Sequence, residues 1–148
     1  MSEQFLKNQV ALVTGGGRGI GRAVAGALAA QGARVYLVGR KADSLESAAQ
    51  EIAAQGGAAM PVVCDVACEA DVLCAYGQID AEAGRLDILF NNAAIATFAN
   101  LVDVTVEDWD RVMGVNVRGA FLCLREAMRR MQKQKGGRII NMGSIVSR

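Results

Sequence analysis

The chain has 148 residues, 52% of them hydrophobic, with 17 glycines and a single proline. That length and composition suit one packed α/β domain burying roughly 70% of its unfolded surface, and exclude a disordered chain. Sixteen basic residues stand against 15 acidic ones, so no overall field argues for a nucleic acid or an anionic membrane as partner.

Strand patterns alternate with helix patterns, which predicts a parallel sheet with crossover helices. The first strand is Val10–Thr14. Residues 20–31 form an alanine-rich helix that Gly32 closes, and 34–38 form the second strand. Asp43-Ser44-Leu45-Glu46 resembles a capping box with Asp43 at the cap. Leu45, Ala48, Ala49 and Ile52 follow at helical spacing. Residues 59–64 are the third strand, Val72, Ala75, Tyr76 and Ile79 mark a third helix face, and 86–91 are the fourth strand. A long helix then starts at Thr105, with Asp108 at its third position. Trp109, Val112, Met113, Val117, Ala120, Phe121, Leu124 and Met128 form its apolar stripe. Gly136-Gly137 ends it, and 138–142 are the fifth strand. The basic run from Arg125 to Arg138 sits near that helix's C-terminus, where the dipole favours positive charge. No repeat, low-complexity tract or linker divides the chain, so residues 1–148 read as one domain.

Cys64, Cys68, Cys74 and Cys123 show no CxxC spacing, and histidine is absent. Neither a metal site nor a disulfide framework is expected. Free thiols suit a reducing compartment. The opening Met-Ser-Glu-Gln-Phe-Leu-Lys has no hydrophobic stretch of the kind that directs secretion, and no apolar run reaches membrane-spanning length. The expected location is the cytoplasm.

Residues 14–21, Thr-Gly-Gly-Gly-Arg-Gly-Ile-Gly, join the first strand to the first helix. Glycines there let backbone N–H groups approach an anion, and the helix end adds partial positive charge. Gly16-x4-Gly21 is followed by Arg22-Ala23, which rules out a Walker A loop, and no register gives GxGxxG. The pattern that fits is Thr14-Gly15-x-x-x-Gly19-x-Gly21, placed as a dinucleotide cradle requires. The competing reading is a plain tight turn.

With these residues the chain resembles the short-chain dehydrogenase/reductase family, including its 3-oxoacyl-carrier-protein reductases. The resemblance runs from about Gln9 to Ser144. Its ordered motifs are 14–21, Cys64-Asp65-Val66, Asn91-Asn92-Ala93-Ala94, Asn116 within Val-Asn-Val-Arg-Gly-Ala-Phe, and Asn141-Met142-Gly143-Ser144. It implies a Rossmann-like doubly wound parallel sheet, here truncated after the fifth strand. It implies a cofactor site at Thr14, Gly15, Gly17, Arg18, Gly19, Ile20 and Gly21, with Asp65 and Val66 at the adenine and Asn92 and Ala93 beside the cofactor. The competing reading of Asp65 is a helix N-terminal acid. Ala94 replaces the family's glycine, which is harmless only if its φ is negative.

Two catalytic identities follow from the same resemblance. Asn116 sits among apolar positions, where a buried amide needs partners. The family places it in a catalytic tetrad, holding a proton-relaying water and bending its helix; the competing reading is a satisfied core asparagine. Ser144 matches the serine that orients the substrate oxygen. No histidine exists to make it a nucleophile. The family's proton donor lies in a Tyr-x-x-x-Lys pair after that serine. The chain has Tyr36 and Tyr76, followed four residues later by Arg40 and Asp80, so the pair is absent and this piece is expected to be inactive alone. An unpaired apolar sheet edge is expected with it.

Cofactor choice turns on the end of the second strand. An acid there holds the ribose hydroxyls of NAD. This chain has Gly39 followed by Arg40, and a guanidinium suits a 2′-phosphate, with Arg18 in support. NADP(H) is expected over NAD(H), with a carbonyl or alcohol substrate and a homo-dimer or tetramer formed through the long helix. The alternative is a non-catalytic dinucleotide-binding or interaction module. No metal, nucleic acid or membrane partner is expected.

Overall fold

Five short apolar segments form β1 (Val10–Thr14), β2 (Arg34–Gly39), β3 (Ala58–Val63), β4 (Ile88–Asn91) and β5 (Arg138–Asn141) in a computed structural model that describes residues 4–144. All pair in parallel, in the order β3-β2-β1-β4-β5. β1 is central and wholly buried, as a strand covered on both faces must be. Its period of two sorts Val10 and Leu12 to one face and Ala11 and Val13 to the other.

Helices cover both faces, which gives the doubly wound Rossmann-like architecture. α1 (Gly19–Ala30) and α2 (Ala42–Ala54) pack Ala25, Ala29, Leu45, Ala48 and Ile52 against one face. α3 (Glu69–Ala83) supplies Val72, Ala75, Tyr76 and Ile79 to the other. α4 (Val106–Met113) and α5 (Ala120–Lys133) are joined on that side by a π-helical segment, Gly114–Gly119. The chain winds outward through β2 and β3, then returns to pair β4 with β1. The two halves therefore part at the carboxyl ends of β1 and β4, the switch point where open sheets of this type bind ligands.

Three expectations change. Asp43 does not cap α2: the cap position is Lys41 with no side-chain bond, and Asp43 lies inside the first turn, where its charge still favours the helix. The long helix is interrupted by the π turn rather than continuous. Its stripe also faces the wrong way for a core. Trp109, Val117, Phe121 and Met128 are exposed, while Val115, Leu122, Cys123, Ala127 and Met131 are buried. Both sets recur with helical period, and the small residues Gly119, Cys123 and Ala127 decide which side packs closely. The cap at the start is as expected, with Thr105 Oγ1 accepting from the Asp108 N–H at 3.1 Å.

The basic run of α5 is held by carboxylates. Buried Glu126 accepts from Arg125 (3.2 Å), Arg129 (2.8 Å) and Arg130 (3.1 Å). Arg125 also pairs with Glu69 at 2.5 Å, and Arg130 forks onto both oxygens of Asp80 at 2.6 and 2.8 Å. The helix dipole is thus a lesser cause of this cluster than the ion pairs to α3. Along β5, Ile140 and the following Met142 are exposed, in line with the apolar edge expected there.

Candidate functional site

The site begins where β1 ends. Thr14 is fully buried, and its Oγ1 accepts from the N–H groups of Asn92 and Ala93, both at 2.9 Å. Asn92 Nδ2 donates back to the Thr14 carbonyl at 3.0 Å. These three bonds tie the loops after β1 and β4 together across the switch point. Gly15 then turns with φ +67°, and its N–H donates to the Val38 carbonyl at 2.8 Å. A Cβ at Gly21 would run into the Gly15 carbonyl oxygen. Glycine is required at the first position by conformation and at the second by close approach.

A cleft of about 390 Å³ opens beyond this seam. Gly15, Gly17, Arg18, Gly19 and Ile20 line one wall, with Arg40 beside them; Asp65 and Val66 line the far end, and Asn92 and Ala93 the floor. Ten of the residues expected to hold a cofactor therefore meet in one cavity. Thr14 and Gly21 stand behind it as supports. The first-turn amides of α1 lack intrahelical acceptors, and Arg18 at the cap position offers no side-chain bond to them. Arg18, Arg40 and Lys41 have no carboxylate within ion-pair distance among the described residues. An anion is the natural complement of that wall.

Asp65 is held by its own turn. Its N–H donates to Asp71 Oδ2 at 2.9 Å, and its Oδ1 accepts from the Ala67 N–H at 3.0 Å. Ala94 causes no strain, because the only non-glycine residues with positive φ among those described are Asn8 and Lys135. Cys64 also lines the cleft, yet burial pushes its thiol up to about 12, so it is no nucleophile near neutrality.

Asn116 does not line the cavity. It lies in the π turn, half-buried, and clamps Ile95 at both backbone atoms: Oδ1 accepts from the N–H at 2.9 Å and Nδ2 donates to the carbonyl at 2.8 Å. Its neighbour Val115 does line the cavity. Ser144 lies three residues past β5, exposed and outside the cleft wall. Neither tyrosine reaches the site. The Tyr36 hydroxyl donates to Glu82 at 2.9 Å, and burial first, then Glu82, pushes its pKa up to about 12. The Tyr76 hydroxyl donates to the Cys123 carbonyl at 2.6 Å, and burial holds its pKa well above the ordinary value.

Lys41, Ser44, Ala94, Ile95 and Val115 also line the cleft, and none of them is among the cofactor residues expected from the sequence. Lys41 was discoverable as the second cation after β2. Ser44 was assigned to a capping box that does not form, and Val115 is indistinguishable from core by periodicity. The described residues contain no group of three or more His, Cys, Asp or Glu able to hold a metal, and no helix long and apolar enough to cross a membrane.

Comparison with known proteins agrees with this geometry. The family model described as short chain dehydrogenase matches residues 9–148. A D-threitol dehydrogenase of Mycolicibacterium smegmatis is 40% identical over 139 residues, covering 94% of this chain and 54% of that protein. A 3-oxoacyl-[acyl-carrier-protein] reductase of Synechocystis is 40% identical over 141 residues, covering 95% and 57%. The chain thus spans about half the length of these curated relatives. Among solved structures, a metagenomic short-chain oxidoreductase in complex with NADP superimposes with a TM-score of 0.92 at 38% identity, covering 95% of this chain and 64% of that one. An NAD⁺-bound xylitol dehydrogenase gives 0.93 at 36% identity, covering 97% and 55%.

Proposed function

The chain belongs to the short chain dehydrogenase family, and from that premise we propose that the protein is an oxidoreductase moving a hydride between a nicotinamide dinucleotide and a carbonyl or alcohol substrate. The observation that carries this reading is the cleft at the β1–β4 switch point. One wall has backbone donors and cations that meet no carboxylate among the described residues, and Asp65 lies at the far end. The loop suits the cofactor, since glycine at 15 and 21 permits the close backbone packing against Asn92, Ala93 and the Gly15 carbonyl on which the cradle is built, and a Cβ at either position would break it.

The amides opening α1, with Arg18, would hold the pyrophosphate. Asp65 and Val66 would hold the adenine, and Asn92 and Ala93 would lie along the remainder. Arg40 and Lys41 would face a 2′-phosphate, which favours NADP(H) over NAD(H). The similar structures include one of each kind, so the preference rests on these cations. When bound, the nicotinamide supplies or accepts the hydride. Ser144 would orient the substrate oxygen by hydrogen bonding. Asn116 holds the Ile95 backbone and, in the role that family resemblance implies, steadies the relay that delivers the proton.

A screen of NADPH oxidation by the full-length protein over carbonyl substrates tests this reading. Turnover is expected, with Asn116→Ala and Ser144→Ala each lowering kcat about a hundredfold while cofactor affinity stays near wild type. Cofactor binding with no turnover on any carbonyl would favour the non-catalytic module instead. The proposed partner is a second copy of the chain, supported by the exposed stripe of Trp109, Val117, Phe121 and Met128. Light scattering on the full-length protein is expected to give a dimer or tetramer, and a monomer would contradict it.

A further inference from the structure

The π turn is gripped from three directions. Asn116 holds Ile95 at both backbone atoms. Asn91 Nδ2 donates to the Ala120 carbonyl at 2.9 Å, where the turn passes into α5. On the third side the loop after β3 presses against Gly119. A Cβ at Gly119 would stand 2.7 Å from Val66 Cγ2 and 3.1 Å from the Val66 carbonyl oxygen.

Backbone freedom does not explain that glycine. Gly119 has φ −61° and ψ −45°, which any residue adopts, and a glycine within a helix is destabilising relative to alanine. Flexible neighbours do not explain the contact either, because Val66 is β-branched and buried, and its backbone carbonyl carbon and oxygen also stand within 3.2 Å of that Cβ position. Gly114, the other glycine of the turn, would meet chiefly the far end of the Arg118 side chain. The tight fit is therefore specific to Gly119 and Val66.

Both segments, the loop after β3 and the π turn, reach the cleft. Val66 lines it directly, as do Val115 in the π turn and Ile95 under the Asn116 clamp. We infer that Gly119 is a positioning residue: it seats the β3–α3 loop on the π turn, so that the adenine end of the cleft and the Asn116–Ile95 clamp move as one body. The inference rests on the dinucleotide reading for its functional meaning, but the mechanical link stands apart from it.

The test is hydrogen exchange at the Ile95 amide, which donates to Asn116 Oδ1, in full-length wild type, Gly119→Ala, Val66→Ala and the double variant. Without cofactor, Gly119→Ala is expected to lower Ile95 protection about tenfold, while the Val13 amide in β1 is unchanged. Adding Gly119→Ala to Val66→Ala is expected to cost less than about twofold, because the obstructing methyl is gone. Unchanged Ile95 exchange in Gly119→Ala, or an equal loss in the two backgrounds, overturns the inference. If Gly119→Ala alone fails to fold, a folded double variant with protected Ile95 supports it, and failure of both overturns it. NADPH titration of the wild type separates the two claims: absence of binding sinks the dinucleotide reading and leaves the exchange result to judge Gly119.

Discussion

The cleft and the α3–α5 interface treat charge in opposite ways. At the interface every arginine of the Arg125–Arg130 cluster meets a carboxylate, and Glu126 alone accepts from three. At the cleft Arg18, Arg40 and Lys41 meet none among the described residues. A guanidinium saturated inside the protein serves architecture, because its attraction is already spent on a fixed neighbour. A cation left facing a cavity beside unsatisfied amides is available to a ligand. The density of positive charge along the chain therefore points away from the cleft: the richest basic run is held by carboxylates, and the cations facing the cleft lie in two separate segments, before α1 and after β2.

The sharpest break of this contrast is Gly21→Ala. Its methyl would strike the Gly15 carbonyl, so dinucleotide affinity should fall by about a hundredfold or more while the fold survives. A calorimetric titration checks it, and near-normal affinity would mean that the loop is a plain turn. Next in size is Glu126→Ala, which leaves Arg129 without its carboxylate and removes one of the two acceptors of Arg125 and Arg130, which keep Glu69 and Asp80. Unfolding free energy should drop by about 2 kcal/mol for the lost charged hydrogen bonds of buried Glu126, with cofactor affinity unchanged. A loss of affinity there would show that the two regions are not separable.

A third test uses pH. Burial raises Cys64 and Cys123 to about 12 and Tyr36 to about 12, with Tyr76 also raised. All four lie in the core cluster on the α3–α5 face. Their folded values exceed the unfolded ones, so the unfolded chain gives up protons first as pH rises. Stability should be full below about pH 8 and should be clearly lower at about pH 10.5, as the unfolded thiols and then the unfolded phenols ionise while the folded ones stay protonated. Urea melts at the two values measure it, and a flat profile would contradict the packing around these groups.

How much of this was legible in the sequence differs between the regions for a physical reason. The strands, the glycine loop and the Thr105 cap depend on local spacing, and each lies where local spacing put it. Family motifs single out Asp65 and Asn92, the end of β2 singles out Arg40, and all three line the one cleft because a ligand edge is a set of strand ends. The face of α5 is ambiguous in the sequence because apolar residues occupy both sides, and tertiary packing through the small residues Gly119, Cys123 and Ala127 selects the buried one. Glu126 escaped notice because its partners Arg129 and Arg130 share its helix, whereas Glu69 and Asp80, which complete the network, are more than forty residues away. Asn116 was recognisable as an anomaly, but its partner Ile95 lies in an irregular loop with no period to read.

The most direct test of the central claim is a paired titration of the full-length protein with NADPH and NADH at fixed moderate salt, repeated on Arg40→Ala. The account predicts tighter binding of NADPH by the wild type, and loss of about tenfold in NADPH affinity on substitution with NADH little changed. Equal or tighter binding of NADH by the wild type, or no response of NADPH to the loss of Arg40, would contradict the reading of the unpaired cations as a phosphate site.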